Sequence, residues 1–155
     1  EMKAYLYCTK AKPYLQPNGA IGTVSTKYNL NGFVCFECEI NKVEEIRHDY
    51  SPLGDDLFFT KSVSIPVDFE RQTCLNTEQL NSYLPRYVLY LENVKKIDKP
   101  FTVSTAPQNM CYITMNGDRC VLISIQSKHL ANIANGLKDI EVRKSILNEL
   151  KELIK

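Results

Sequence analysis

Met110–Ile125 reads MCYITMNGDRCVLISI. Two runs rich in strand-forming residues flank Asn116-Gly117, a dipeptide suited to tight hairpin turns because both central residues need positive φ. The stretch therefore predicts two antiparallel strands in immediate succession. Downstream, Ser127 can cap a short helix whose apolar positions Leu130, Ile133, Ala134 and Leu137 share a face. Gly136 stands near its end, where a left-handed residue is needed. Asp139 to Arg143 then resumes extended structure. Ser145 starts a last helix over 145–155, with Ile146, Leu147, Leu150, Leu153 and Ile154 at helical spacing.

Upstream, Lys3 to Cys8 (KAYLYC) reads as a strand that enters the polar turn TKAKP, followed by a Gly-, Asn- and Pro-rich loop from Gln16 to Gly32. Phe33 to Ile40 is the clearest strand, and Lys42 to Arg47 extends it past a bend. Asp49 to Asp56, punctuated by Pro52 and Gly54, predicts an exposed loop. Leu57 to Val67, broken by Pro66, reads as irregular or edge strand. CLNTEQLNSYL is a helix capped by Asn76, with Gln79 as capping-box partner, a Leu75–Leu80 staple, and Pro85 as its stop. Tyr87 to Ile97 is another long strand, ended by DKP. The sum is an α+β chain dominated by strands.

With 155 residues, 44% hydrophobic and 24% charged, the chain suits one domain spanning 1–155. Formal net charge is +1, far from the basic footprint of a general nucleic-acid binder, so a nucleic acid or nucleotide has to be held by a local pocket. No apolar run approaches the roughly 20 residues that span a bilayer, and no signal-peptide pattern opens the chain. A cytoplasmic protein without membrane contact is expected.

Cys35 and Cys38 are the only close pair among six cysteines, and residues three apart in a strand point to opposite faces. With only His48 and His129 to assist, neither a metal site nor a cofactor is expected, and the cysteines read as reduced core residues.

NGLKDIEVRK, Asn135 to Lys144, carries the candidate chemistry. Glu141 and Arg143 are two apart in an extended segment and point the same way, while Lys138 leaves from the turn just before. All three can converge on one space. There the cations can hold a phosphate or carbonyl, and the carboxylate can accept from a base amino group or act as a general base. The same residues can equally pair with each other on the surface, contributing little stability.

LISIQSKHLANIANGLKDIEVRKS closely resembles the signature of ASCH domains, small β-barrels of the PUA-like group. In that family a strand and helix lead into Gly-x-Lys-x-x-Glu-x-Arg, here Gly136, Lys138, Glu141 and Arg143. KAYLYCTKAKPYL, NGFVCFECEINKVEEI, TCLNTEQLNSYL, YVLYLENVKKIDKP and APQNMCYI resemble the family's later elements, so the signature (119–144) stands last rather than first. The resemblance implies a circularly permuted PUA-like β-barrel with flanking helices. In it the Asn-Gly turn joins the family's first and last strands, and 145–155 is an added helix.

ASCH and PUA-like domains are associated with RNA and modified nucleobases held in a cleft between barrel and helices. By position, Lys138, Glu141 and Arg143 would line that cleft. Lys10 and Lys12 are candidate phosphate contacts, Tyr7 and Tyr14 candidate stacking partners, and Gln108 and Asn109 candidate readers of a base edge. Small bacterial relatives hydrolyse the acetyl amide of acetylated cytidine. In that branch a Thr stands at the position of Glu141, and a distant Glu has only a loose counterpart in Glu70. Asp139, where the wider family usually has Thr, places a second carboxylate close to Glu141 and can raise a pKa there. Three readings follow: an RNA- or nucleotide-binding module; a hydrolase of an acylated or modified nucleoside with Lys138 and Glu141 as acid-base pair; and a protein-interaction or inhibitory scaffold whose last helix docks a partner.

Overall fold

The computed structural model describes residues 1–9 and 31–154, with the backbone of Tyr14–Leu15 and Ile21–Gly22 between them. Its strands are β1 (Met2–Cys8), β2 (Tyr14–Leu15), β3 (Ile21–Gly22), β4 (Val34–Glu45), β5 (Arg47–Tyr50), β6 (Asp56–Phe59), β7 (Tyr87–Phe101), β8 (Met110–Met115), β9 (Asp118–Ile125) and β10 (Ile140–Arg143). The helices are α1 (Pro66–Thr73), α2 (Thr77–Tyr83), α3 (Ser127–Ala134) and α4 (Asn148–Lys151).

A six-stranded sheet of order β10-β7-β4-β1-β9-β8 forms the body of the molecule, and two short two-stranded ladders, β2-β3 and β5-β6, flank it. The expected hairpin is its β8–β9 edge, with Met115 opposite Asp118. Asn116 (φ 54°) and Gly117 (φ 82°) make the turn between them. Beside it β9 runs parallel to β1, while the remaining neighbours are antiparallel. The sheet curls into a half-barrel. Among the described residues its edges β10 and β8 share no ladder. They are instead bridged by side chains: the Asn109 amide donates to the Ser145 carbonyl (2.9 Å), and Arg143 donates to Asn109 Oδ1 (3.2 Å).

Alternation along β1 and β9 explains two of the three apolar clusters. Ala4, Leu6, Cys8, Val121, Ile123 and Ile125 face the main core with Leu130 and Ile133 of α3. Tyr5, Tyr7, Cys120 and Leu122 face the other side with Val34. Both strands are buried on both faces, which is why they read as nearly unbroken apolar runs. The third cluster packs Phe69 of α1 and Leu80 of α2 against Val88, Ile140 and Val142.

Several local expectations are corrected. Residues 49–56 are exposed except for the half-buried Ser51 and Asp56, yet they form most of the β5–β6 hairpin, with His48 stacked on Phe58 at 4.3 Å. Pro66 opens α1 rather than interrupting a strand; proline suits a helix's first position, where no N–H is required. Leu137 is 65% exposed and leaves the apolar face of α3. The C-terminal helix shrinks to four residues, but Ile146 and Leu150 are buried in the main core, with Leu147, Leu153 and Ile154 packed against it. The capping box of α2 is present as read, Asn76 Oδ1 accepting from Gln79 N at 2.8 Å and Gln79 Oε1 accepting from Asn76 N at 2.9 Å.

Candidate functional site

The turn after α3 aims the charged residues. Asn132 O accepts from both Leu137 N (2.9 Å) and Lys138 N (3.2 Å). Gly136 takes φ 74°, a conformation that admits a side chain only with strain. The chain thereby reverses so that Leu137 points outward while Lys138 is 2% exposed. β10 then pairs with β7, setting Glu141 opposite Leu89 and Arg143 opposite Tyr87. Two residues apart in one strand, Glu141 and Arg143 share a face.

The three ionic groups meet. Lys138 Nζ lies 3.1 Å from Glu141 Oε1, and Arg143 Nη2 lies 3.4 Å from Glu141 Oε2. Glu141 Oε1 also accepts from the Val142 N–H at 3.1 Å. Burial alone would push the Glu141 carboxyl up, but Lys138 and then Arg143 outweigh it and hold the pKa down at about 2. Asp139 does not take part: it is exposed, and the raised carboxylate expected from it is not found at Glu141.

A cavity of about 380 Å³ lies against this triad, within the range of about 300–1,000 Å³ usual for small-molecule sites. Lys138, Glu141 and Arg143 line it together with Gln108. Thr9, Ile125 and Gln126 line it at the carboxyl ends of β1 and β9, and Leu75, just before α2, lines it together with Gln79 and Tyr83 of α2. Within the triad two cations and one carboxylate leave a net charge of +1.

Not every candidate residue reaches this space. Arg143 does, yet its terminal nitrogens are committed within the protein, to Ser124 O (2.8 Å), Asn109 Oδ1 (3.2 Å) and Glu141. Asn109 accepts from Arg143 and donates to Ser145, and it is not among the residues that line the cavity. Tyr7 is buried in the cluster with Tyr5 and Leu122 and is not available for stacking. Lys10, Lys12 and the Tyr14 side chain lie outside the described residues. Glu70 accepts from the Thr77 hydroxyl and lines a separate depression with Asp55, Asp56 and Val67.

No sequence signal points Thr9, Gln79, Tyr83 or His129 to this cavity: Gln79 is marked only as a capping-box partner and His129 only as one of two histidines, and the four arrive from β1's end, α2 and α3. Tyr83 combines 38% exposure with a place in the lining and has Lys144 Nζ 5.3 Å from its ring centre.

The cysteines are free thiols. Burial pushes Cys8 and Cys38 up to about 12 and raises Cys35 as well. Among the described residues no group of three His, Cys, Asp or Glu is placed to hold a metal ion, and no helix is long and apolar enough to cross a membrane. Comparison with protein-family models, with curated proteins and with solved structures found no match to this chain.

Proposed function

We propose that the protein is an RNA- or nucleotide-binding module that holds a nucleobase in the cleft between its curled sheet and the helices α2 and α3. One observation carries the reading: Lys138, Glu141 and Arg143, eight residues or fewer from Gly136 in sequence, are drawn inward onto a single cavity instead of standing as surface charges. Burying Lys138 and Glu141 with Arg143 half-buried beside them is costly even when the groups are paired, and a polar ligand gives that cost a use. Lys138 retains N–H groups beyond its bond to Glu141 and can meet a carbonyl or phosphate oxygen. Gln108 offers an amide, and Tyr83 a ring on which a base can stack. The resemblance to ASCH domains supports the same ligand class, and the antiparallel β8–β9 hairpin supports a permuted barrel, because it joins the two elements that permutation has to join.

The hydrolase reading has less support. A carboxyl held at about 2 is a weak general base near neutral pH, and Glu70 lies away from the cleft. The scaffold reading is weakened because the apolar residues of the last helix are already packed on the core.

Thermal shift of wild type and Lys138→Ala against nucleosides, mono- and cyclic nucleotides and short RNA tests the proposal. A ligand that binds only the folded state raises the melting temperature by mass action, and that rise is expected to vanish in the variant. Acetate release from acetylated cytidine would transfer the reading to the hydrolase. Silence from every compound would transfer it to a protein partner.

A further inference from the structure

Of the seven large apolar side chains that stand exposed among the described residues, four come from the two elements that frame one depression. Tyr50 and Leu53 belong to the β5–β6 hairpin, with Leu53 in its turn and 90% exposed, while Ile65 and Val67 flank Pro66 at the start of α1. The depression measures about 550 Å³ and is lined by residues 54–58 of the hairpin and by Pro66, Val67 and Glu70 of α1. None of its lining residues belongs to the cavity of the ionic triad. Apolar residues scattered singly over a surface are ordinary, but a cluster of them around a concavity marks an interaction surface.

The exposure is built in by the backbone. In the hairpin turn Ser51 Oγ accepts from Leu53 N (3.2 Å) and Asp55 N (3.0 Å), and Ser51 N donates to Asp55 O (2.8 Å). At the start of α1 the Ile65 carbonyl accepts from Asp68 N and Phe69 N, each at 3.0 Å. Phe58 and Phe69 are buried in one apolar cluster and hold the two elements together. A surface fixed in this way loses little conformational freedom when it binds.

Charge selects the occupant. Asp55, Asp56 and Glu70 line the depression, and neither Lys nor Arg does. Asp56 pairs with His48 at 2.7 Å, and Glu70 accepts from the neutral Thr77 hydroxyl. The Asp55 carboxylate has no partner among the described residues. We propose that this face docks a segment of a partner protein that carries Lys or Arg beside an apolar side chain. The apolar side chain packs on Val67 and the neighbouring Leu53, and the cation meets Asp55 and Glu70. This surface is separate from the nucleobase cleft and from the last helix, so it stands whether or not the cleft takes a nucleotide.

Selection of a random dodecapeptide display library on the full chain tests the assignment. Sequences that place Lys or Arg next to Leu, Ile or Phe are expected to be enriched. An enriched peptide, synthesised with a fluorescent label, is expected to bind Asp55→Asn and Val67→Ser about tenfold more weakly than wild type in anisotropy titrations. Its affinity for wild type is expected to fall as salt rises from about 50 mM to about 500 mM. Both substituted side chains are exposed, so melting temperatures are expected to stay within about 2 °C of wild type. No enrichment, enrichment of acidic or purely apolar sequences, or unchanged affinity for either variant would overturn the proposal. A wild-type dimer in sedimentation velocity that is lost in Leu53→Ser would give the face to a second copy and overturn it as well.

Discussion

Two buried carboxylates flank strand β7, and they are held in opposite ways. Glu141 on β10 stands opposite Leu89, and Glu44 on β4 stands opposite Val88. Consecutive residues of a strand face opposite ways, so the two carboxylates lie on opposite faces of the sheet. Glu44, 3% exposed, accepts from the Tyr90 hydroxyl, from Ser62 Oγ at 2.8 Å and from Ser62 N at 3.1 Å, with Lys42 further off at 3.7 Å. Burial would push its pKa up, but the hydrogen bonds from Tyr90 and Ser62 turn the balance and lower it. Glu141 is held down chiefly by two cations and lines a cavity. The difference separates a clamp from a site. Glu44 ties the segment after β6 to the sheet with neutral donors, and its surroundings satisfy it. Glu141 gathers two charges at the wall of a space that can admit something else.

The largest test of this contrast is Glu141→Gln. Removing the charge strands the buried Lys138 and leaves the half-buried Arg143 without its carboxylate, and breaking a buried pair in this way costs about 3–5 kcal/mol; chemical denaturation is expected to show a loss of that size, and thermal shift with nucleosides is expected to disappear. Acid titration sharpens the same point. Folding lowers the Glu141 pKa from 4.5 to about 2, so the unfolded chain takes up this proton more readily than the folded one. The contribution of Glu141 to stability is therefore complete above about pH 5 and is lost as the pH falls toward about 2. Denaturation midpoints measured down through that window should fall more steeply for wild type than for Glu141→Gln; equal slopes would remove the electrostatic account of the triad.

Glu44→Gln comes next. It disturbs a hydroxyl-lined acceptor without stranding a close cation pair, and a loss of about 1–3 kcal/mol is expected. Ligand-induced stabilisation should stay at its wild-type value, and a lost ligand response would merge the two regions into one functional unit. Smallest is Tyr90→Phe, which deletes one donor to Glu44 and is expected to cost about 1 kcal/mol. It should also let the Glu44 pKa rise, readable by carbon NMR of the carboxyl.

Legibility in the sequence followed the range of the interactions. The β8–β9 hairpin, the capping box of α2 and the left-handed Gly136 depend on residues within four of one another, and all were readable. The common direction of Glu141 and Arg143 followed from strand alternation alone. The helix α1 is hidden in the sequence because proline at a helix start and proline breaking a strand look alike without the following turn, and Pro66 is the former. Leu137 has helical spacing in the sequence, but the helix ends before it, at Ala134. Tyr7 suits stacking on a base or packing in the core equally well in the sequence, and only its packing with Tyr5, Val34 and Leu122 settles which.

By itself, the sequence determined the strand-rich α+β class, the hairpin that joins β8 to β9, and the order Gly136, Lys138, Glu141, Arg143 around a tight turn. All of these rest on local backbone preferences and on the two-residue period of a strand. Long-range packing sets the triad against a cavity, ties the two sheet edges through Asn109 and Ser145 behind Arg143, and brings Thr9, Tyr83 and His129 round the same space. Those residues belong to segments far apart in the chain, and side chains from distant segments become neighbours only when a curled sheet and its helices bury a shared face.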